Sequence, residues 1–150
     1  MSLKARFTVE GLSELKDAFT ELPKATGKNV AKRVLTKRAQ PILDDATRAA
    51  PVKIGNLKAS ITAGTKLSRR QKALTKNSKS YTEIYVGAGV NPQATMQEFG
   101  TSRDKPQPFM RPAWDANKQA ILEGLKDDLW AEIRKAADRI AKKAARKSKQ

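Results

Sequence analysis

The sequence predicts an α+β domain in which a small antiparallel sheet packs against two N-terminal helices and a long C-terminal helix. Three patterns support this prediction. Residues 4–9 alternate polar and apolar side chains, as a half-buried strand does. Residues 81–88 are rich in β-forming side chains. Apolar residues recur at three- and four-residue steps through 122–140, which is typical of a helix. A chain of 150 residues is long enough for one domain with its own core, so a single domain over 1–150 is expected.

Two helices are expected between the first strand and the first hairpin. The first carries an apolar stripe at helical spacing, formed by Leu12, Leu15, Phe19 and Leu22. Pro23 should end it. The second should begin near Asn29 and end before Pro51. Pro41 lies inside this second helix and is expected to kink or split it, because proline removes one backbone hydrogen bond.

A hairpin with a long connection is expected in the middle of the chain. Gly55-Asn56 is a turn signal, and the alternation of Leu57, Ala59 and Ile61 predicts a strand that continues toward Leu67. This strand should pair antiparallel with the strand at 81–88. The intervening residues, about 66–80, are polar and are expected to form a mobile loop.

A proline-rich segment should lead into the C-terminal helix. Pro106 and Pro108 exclude a continuous helix, so residues 105–109 should be extended. Pro112 suits the first turn of the last helix, where its missing N–H costs nothing. Large apolar groups in this segment are expected to be buried, either in the protomer or across a subunit contact; they are Phe99, Phe109 and Trp114. The basic end of the last helix, from about 141, is expected to fray.

The charge of the chain predicts a polyanionic partner. Lys and Arg total 31 against 15 acids, which gives a net charge of +16. Nucleic acid is the first candidate and an anionic membrane surface the second. Eight basic residues and no acid lie between Lys53 and Lys79. Both a solvated loop and a contact with phosphates fit this segment, and the scarcity of aromatic residues disfavours base stacking. The candidate DNA-facing residues are Lys66, Arg69, Arg70, Lys72, Lys76 and Lys79.

The sequence offers little for catalysis. It contains no cysteine and no histidine, which excludes thiolate metal sites, imidazole bases and nucleophile pairs that need either residue. Asp44-Asp45 and Asp127-Asp128 are adjacent on helices and so point about 100° apart. Glu83 has no second acid nearby. We therefore expect no catalytic residue, no metal and no cofactor, and a nuclease is a weak third hypothesis.

Two segments resemble a family of tailed-phage morphogenesis proteins, described as minor tail, head–tail joining or tail-completion components. Residues 50–61 resemble the family motif "aPvxTGxLxxSi", with Ile54 where threonine is common. Residues 97–101 (Gln-Glu-Phe-Gly-Thr) and 106–113 resemble a second motif, "vEfGT … PqPFlrPA". The resemblance implies structural roles for Pro51, Gly55, Leu57, Glu98, Phe99, Gly100, Pro108, Phe109, Arg111 and Pro112.

The resemblance also implies a function without catalysis. Family members are expected to form a ring, here a homo-oligomer expected to be a hexamer, at the head–tail neck or the top of the tail tube. The expected partners are neighbouring neck and tail-tube proteins and the double-stranded DNA that passes through, without sequence specificity and with no membrane. The expected location is the virion, and the host cytoplasm before assembly. The alternative is a stand-alone nucleic-acid-binding protein that works as a monomer or dimer.

Overall fold

A computed structural model describes residues 12–52, 55–74 and 82–147, and helices make up most of this part of the chain. The predicted strand at 4–9 lies outside the described residues. The elements in chain order are α1 Leu12–Glu21, α2 Lys24–Ala49, α3 Gly55–Ser60, β1 Thr62–Gly64, α4 Arg69–Leu74, β2 Tyr85–Gly87, α5 Pro92–Phe99 and α6 Met110–Lys147.

The two longest helices, α2 and α6, pack side by side and run antiparallel. The Nη1 of Arg33 donates to the Oε2 of Glu132 at 2.7 Å. Five residues further along α2, the Nε of Arg38 donates to the Oδ2 of Asp128 at 2.7 Å. The residue number of the partner on α6 falls as the residue number on α2 rises, which shows that the two helices run in opposite directions. This pair is the frame on which the smaller elements are placed.

Among the described residues, the sheet consists of two short antiparallel strands. Thr62 pairs with Gly87, and Gly64 pairs with Tyr85, two residues apart on each strand. Together with the long C-terminal helix, this two-stranded sheet confirms the predicted α+β class.

Two apolar clusters form the core. The first joins the end of α2 to α3, the end of β2 and the start of α6; its buried members are Ile42, Ala46, Ala50, Leu57, Ile61, Ala88, Phe109 and Ala113. The second joins α1 to the first part of α2 and the second half of α6; its buried members are Leu15, Leu22, Val30, Ile133 and Ala136. The first cluster is the one that places the family-motif residues.

The prediction for α1 is confirmed, whereas α2 differs from its prediction in two ways. It begins at Lys24 rather than Asn29, and it is not split at Pro41. The proline costs one backbone hydrogen bond. Buried residues on both sides of it, Ala39 and Ile42, keep α2 continuous through their packing. The helix ends at Ala49, as the following Pro51 predicts.

The predicted strand from 57 toward 67 is wrong for its first part, which is helix α3. Leu57 is fully buried and Ile61 is 6% exposed, while Ala59 is exposed. The two buried residues are four apart, so they lie on one face of a helix as readily as on one face of a strand. Only residues 62–64 are strand, and β2 is likewise shorter than the predicted 81–88.

Helix also appears where a loop and a frayed end were predicted. Residues 69–74 form α4, whose first turn is closed by a reciprocal pair: Gln71 N donates to Ser68 Oγ, and Ser68 N donates to Gln71 Oε1. Residues 75–81 lie outside the described residues, so the mobility of the segment remains a prediction. The last helix, α6, begins at Met110 and continues to Lys147, so residues from about 141 are helical here, and their fraying remains a prediction.

Candidate functional site

Helix α5 positions the buried carboxylate at the centre of the second motif. Asn91 caps the helix, since its Oδ1 accepts from the N–H of Gln93 at 3.0 Å, and Pro92 occupies the first turn. Seven residues later, Glu98 lies in the last turn and is only 6% exposed. A carboxylate this buried requires partners, because an unpaired buried charge is costly.

The partners of Glu98 are the backbone N–H groups at the start of α6. Its Oε2 accepts from the N–H of Phe109 and from that of Met110, both at 2.9 Å. Its Oε1 accepts from the N–H of Arg111 at 3.0 Å. These N–H groups have no partner within the helix, and the next residue, Pro112, has no N–H to satisfy. Glu98 therefore caps the long helix from eleven to thirteen residues away.

The Arg111 side chain also donates to Glu98, and it satisfies a carbonyl at the end of α5. Its Nε donates to the Oε1 of Glu98 at 2.9 Å, and its Nη2 donates to the backbone carbonyl of Glu98 at 2.8 Å. The preceding carbonyl, that of Gln97, accepts from the N–H of Gln107 at 2.7 Å. The end of one helix and the start of the next thus satisfy each other's unpaired backbone groups. We call the contacts between Glu98 and residues 109–111 the Glu98 cap.

The Glu98 cap keeps this carboxylate ionised at neutral pH. Burial by itself raises the pKa of Glu98. The N–H groups of Met110, Phe109 and Arg111 and the Arg111 side chain outweigh burial, and they hold the pKa of Glu98 below its usual value. The arrangement is a structural anchor rather than a general base, since all the groups facing the carboxylate are donors that stabilise its charged form.

Gly100 permits the turn that joins the two capped helices. Its φ of +77° lies in the left-handed region that favours glycine. A Cβ there would lie 2.9 Å from the backbone oxygen of Asp104 and 2.9 Å from the ring of Pro106. The turn is then closed by the N–H of Thr101, which donates to that same Asp104 oxygen at 2.9 Å. Any larger residue at Gly100 would push the proline-rich segment away from α5.

The predicted burial of three aromatic side chains is confirmed for one of them within the protomer. Phe109 is fully buried in the first cluster, whereas Phe99 is 65% exposed and Trp114 is 54% exposed. Phe99 follows Glu98 directly, so it points about 100° away from the buried side of α5, and its ring lies under the Arg111 guanidinium at 4.9 Å. Trp114 similarly follows the buried Ala113 on α6. Burial of these two across a subunit contact remains a prediction.

The two motifs, far apart in the sequence, meet in one core. Ala50, before Pro51, is extended (φ −61°, ψ 134°), and this geometry ends α2 and turns the chain. Gly55 then begins α3, which buries Leu57 against the same cluster as Phe109. Pro108 is exposed, and its ring restricts the backbone directly before Phe109. Leu57 of the first motif and Phe109 of the second therefore pack in the same buried cluster.

The predicted DNA-facing residues fall into two groups. Lys66, Arg69, Arg70 and Lys72 are exposed on and just before α4, and Lys76 and Lys79 lie outside the described residues. Lys66 lines a cavity of about 480 Å³, and Lys32 of α2 lines the same cavity. The Gln71 side chain ties α4 to the turn after β2, because its Nε2 donates to the Gly89 carbonyl at 3.3 Å. The described basic residues are thus exposed in a short segment that is tied to the turn after β2.

The acidic residues considered for catalysis have separate structural partners. Asp44 accepts from Gln40, and Asp128 accepts from Arg38. Glu83 accepts from the Tyr85 hydroxyl, and this contact raises the pKa of Tyr85. In the described ranges, no group of three or more His, Cys, Asp or Glu side chains could hold a metal ion. Nor does any helix in those ranges combine the length and apolarity that crossing a bilayer would require.

Sequence reasoning missed α5 and α4, although both carry a local signal. Asn91-Pro92 places a capping residue directly before proline, a pattern that indicates a helix start. Ser68 and Gln71 have the spacing of a capping box. The Glu98 cap had no such local signal, because its partners lie beyond the turn and the prolines that follow α5.

A comparison of the sequence with protein-family models relates the chain to phage tail components. The model of the HK97-gp10-like family, described as a tail component of bacteriophage HK97, matches residues 13–100, more than half of the chain. The chain belongs to this family. Searches of curated proteins and of solved structures found no match. The matched residues include the first motif and Glu98, while the capped start of α6 lies beyond them.

Membership fixes the broad role of the protein. It is a structural component of the phage tail, its location is the virion, and its partners include other virion proteins. The family is one of tail components rather than a known family of enzymes.

Proposed function

We propose that this tail component assembles into a ring, a homo-oligomer of six copies, at the head–tail neck or the top of the tail tube, and that the genome passes through it. The observation that carries the proposal is the family match over residues 13–100. Before assembly the protein resides in the host cytoplasm, and in the virion it contacts neck and tail-tube neighbours. In this role the protein lets the genome pass and connects neighbouring virion proteins, without catalysis.

The exposed apolar residues beside the Glu98 cap support a contact between copies. Met96 is 54% exposed, and it lies one helical turn before Phe99 on α5. Trp114 is one turn after Arg111, whose guanidinium covers the Phe99 ring. Large aromatic residues held on rigid helices are typical anchors of protein interfaces. A closed ring needs a heterologous contact, so this surface would meet a different surface of the next copy.

The basic residues before and on α4 support contact with passing DNA. Four of them are exposed and close together in the chain, and no acid lies between Lys53 and Lys79 in the sequence. Attraction to phosphates carries no base information, which suits a channel through which any sequence must pass. In the proposed ring this segment faces the lumen or its rim.

The alternative is a stand-alone protein that binds nucleic acid without sequence specificity, as a monomer or dimer. The net charge of +16 favours a stand-alone nucleic-acid-binding protein as much as it favours a ring through which DNA passes. The oligomeric state separates the two functions, because only the conduit requires a ring.

The proposal is tested by the native mass of the purified protein over a range of concentrations. Wild type should reach a closed oligomer of about six times the 16.5 kDa chain mass. Assembly should strengthen with moderate salt, since each copy carries a net charge of +16 and like charges repel. The double variant Phe99→Ser/Trp114→Ser should dissociate at concentrations where wild type is assembled.

The matched control is Val52→Ser/Val90→Ser, which removes two exposed apolar side chains from loops. It should assemble as wild type does. A wild type that stays monomeric or dimeric at every concentration and salt would favour the stand-alone protein. Equal assembly of both double variants would show that the contact between copies lies elsewhere.

A further inference from the structure

The C-terminal part of α6 concentrates positive charge on a helical segment that is exposed within the described part of the chain. Residues 139–147 contain five basic residues and no acid, whereas all six acids of α6 lie at or before Asp138. Residues 137–147 are all exposed. We name these five residues the basic end of α6; they are Arg139, Lys142, Lys143, Arg146 and Lys147.

The antiparallel register shows where this part of the helix lies relative to α2. Arg33 of α2 lies opposite Glu132 of α6. Continued to the start of α2, this register places Lys24 beside roughly residue 141, so the last turns of α6 extend past the helix it packs on. The turns beyond residue 141 therefore form a helical arm that extends about 9 Å past the start of α2.

Four of these cations are arranged on one side of the arm and are available for a ligand. Arg139, Lys142, Lys143 and Arg146 lie within about 100° of one another around the helix. Within the described part of the chain, none of the four forms an ion pair. Favourable contact with the helix C-terminus accounts for basic residues in the last turn, but Arg139 lies two turns earlier.

A groove at the base of the arm adjoins the same surface. This groove, of about 270 Å³, lies between α2 and α6, and its lining includes the apolar residues Val30, Ala136 and Ile140. Arg139 and Lys143 line it on the α6 side, and Thr26 and Asn29 line it on the α2 side. The Arg33–Glu132 ion pair also lies in the lining, so the Glu132 carboxylate is neutralised there by Arg33 and Lys135. Hydroxyl, amide and guanidinium groups are the usual donors to phosphate oxygens, so Thr26, Asn29 and Arg139 offer donors beside the Lys143 cation.

We infer that the basic end of α6, with the groove at its base, is a contact surface for the phosphate backbone of double-stranded nucleic acid. The residues opposite the cations are alanines, Ala141, Ala144 and Ala145, so the arm lacks the large apolar face that a membrane-surface helix inserts into lipid. It also lacks aromatic residues on which the bases of a single strand would stack. A row of cations on a helix, without either feature, suits the regular phosphates of a duplex.

This inference goes beyond the proposed function, because it requires no ring and uses residues separate from the segment at 66–80. The two surfaces share a partner, so the experiment must tell them apart. Binding of a 30-base-pair duplex of arbitrary sequence is measured against salt concentration by fluorescence anisotropy. Each variant changes four basic residues to glutamine, which preserves helix propensity and is checked by circular dichroism.

The arm variant is Arg139→Gln, Lys142→Gln, Lys143→Gln and Arg146→Gln. Its binding should weaken at least tenfold, and the slope of log K against log salt should become shallower by up to about 3–4 units. The charge-matched control removes exposed cations at the opposite end of the α2–α6 pair: Arg48→Gln, Arg103→Gln, Lys105→Gln and Lys118→Gln. Its slope should change by less than about 1 unit, because net charge alone acts weakly at a distance.

A third variant, Lys66→Gln, Arg69→Gln, Arg70→Gln and Lys72→Gln, tests the DNA contact of the proposed function. If only the arm variant loses duplex binding, the inference is supported and the contact at 66–72 is contradicted. If only the variant at 66–72 loses duplex binding, the inference is overturned. Equal, small effects in the arm and control variants would mean general charge attraction and would also overturn it. The inference is overturned as well if the arm variant loses binding to phosphatidylserine vesicles but keeps its binding to the duplex.

Discussion

At the scale of single residues, Glu98 holds together the end of one helix and the start of another. Its two carboxylate oxygens accept four hydrogen bonds, three from backbone N–H groups and one from Arg111 Nε. Such charge-assisted bonds are stronger than neutral ones, and a buried donor left without an acceptor is costly. The side chain is therefore expected to contribute to stability far more than an exposed glutamate does.

Replacement of Glu98 by glutamine should destabilise the protein by roughly 2–4 kcal/mol and lower Tm by about 5–15 °C. An amide has a single acceptor oxygen, and its NH₂ group would face N–H donors, so part of the cap would be lost. Thermal or urea unfolding measures the change. Glu123→Gln, on the exposed side of α6, is the matched control and should stay within about 0.5 kcal/mol of wild type.

The same variant gives a pH signature. Because the pKa of Glu98 is lower in the folded state than in the unfolded chain, its stabilisation is fully present above the unfolded value of about 4.3. That stabilisation is lost as pH falls through the lower folded pKa. The difference in unfolding free energy between wild type and Glu98→Gln should therefore be constant from pH 7 to 5 and shrink below about pH 4. A difference that stays constant down to about pH 2 would contradict the ionised cap.

At the scale of elements, a glycine in α6 makes room for an ion pair between α2 and α6. A Cβ on Gly124 would collide with the Arg38 guanidinium, which reaches across α6 to Asp128. The absence of a side chain lets Arg38 lie flat over the helix, only 30% exposed. The hydrogen bond between Arg38 and Asp128 is the chief reason that the pKa of Asp128 is lowered and the pKa of Arg38 is raised. A glycine in mid-helix is thus explained by the ion pair that crosses it.

The effect of Gly124→Ala on stability should therefore depend on Arg38. Alanine in place of glycine inside a helix ordinarily stabilises by about 0.5–1 kcal/mol. In wild type this gain should be absent or reversed, because the methyl group displaces Arg38 from Asp128. In the Arg38→Gln background the gain should appear. Urea unfolding of the four proteins in the cycle measures the coupling, and the same effect in both backgrounds would rule out the proposed packing.

The elements also show where sequence patterns predict structure and where they do not. The long apolar stripe of α6 identified a helix because its period extends over many turns. Leu57 and Ile61 did not identify α3, since two buried residues four apart fit both a strand and a single helical turn. The split considered at Pro41 is not found for a related reason. Tertiary packing on both sides of the proline outweighed one missing backbone hydrogen bond.

At the scale of the whole molecule, the fold class and the second motif were predictable, but the arrangement of the site was not. The resemblance marked Glu98, Phe109 and Arg111 as structural residues, and the structure explains why they belong together. The contact spans more than ten residues and depends on how the proline-rich turn folds back, which no periodicity encodes. The exposure of Phe99 and Trp114 was likewise unpredictable, because an apolar residue alone does not tell whether its partner is within the chain.

The basic end of α6 and the exposed Trp114 lie at opposite ends of the same long helix. Such a separation would let apolar contacts near Trp114 join copies while the cations of the basic end remain available to phosphates. A chain with a net charge of +16 could then self-associate.

Electron microscopy of the purified protein tests the central claim most directly. At high protein concentration and moderate salt, class averages should show closed rings with a central opening and a fixed number of copies, expected to be six. Phe99→Ser/Trp114→Ser should yield few or none under the same conditions. Separate monomers, twofold dimers or open filaments from wild type would contradict a ring through which DNA passes.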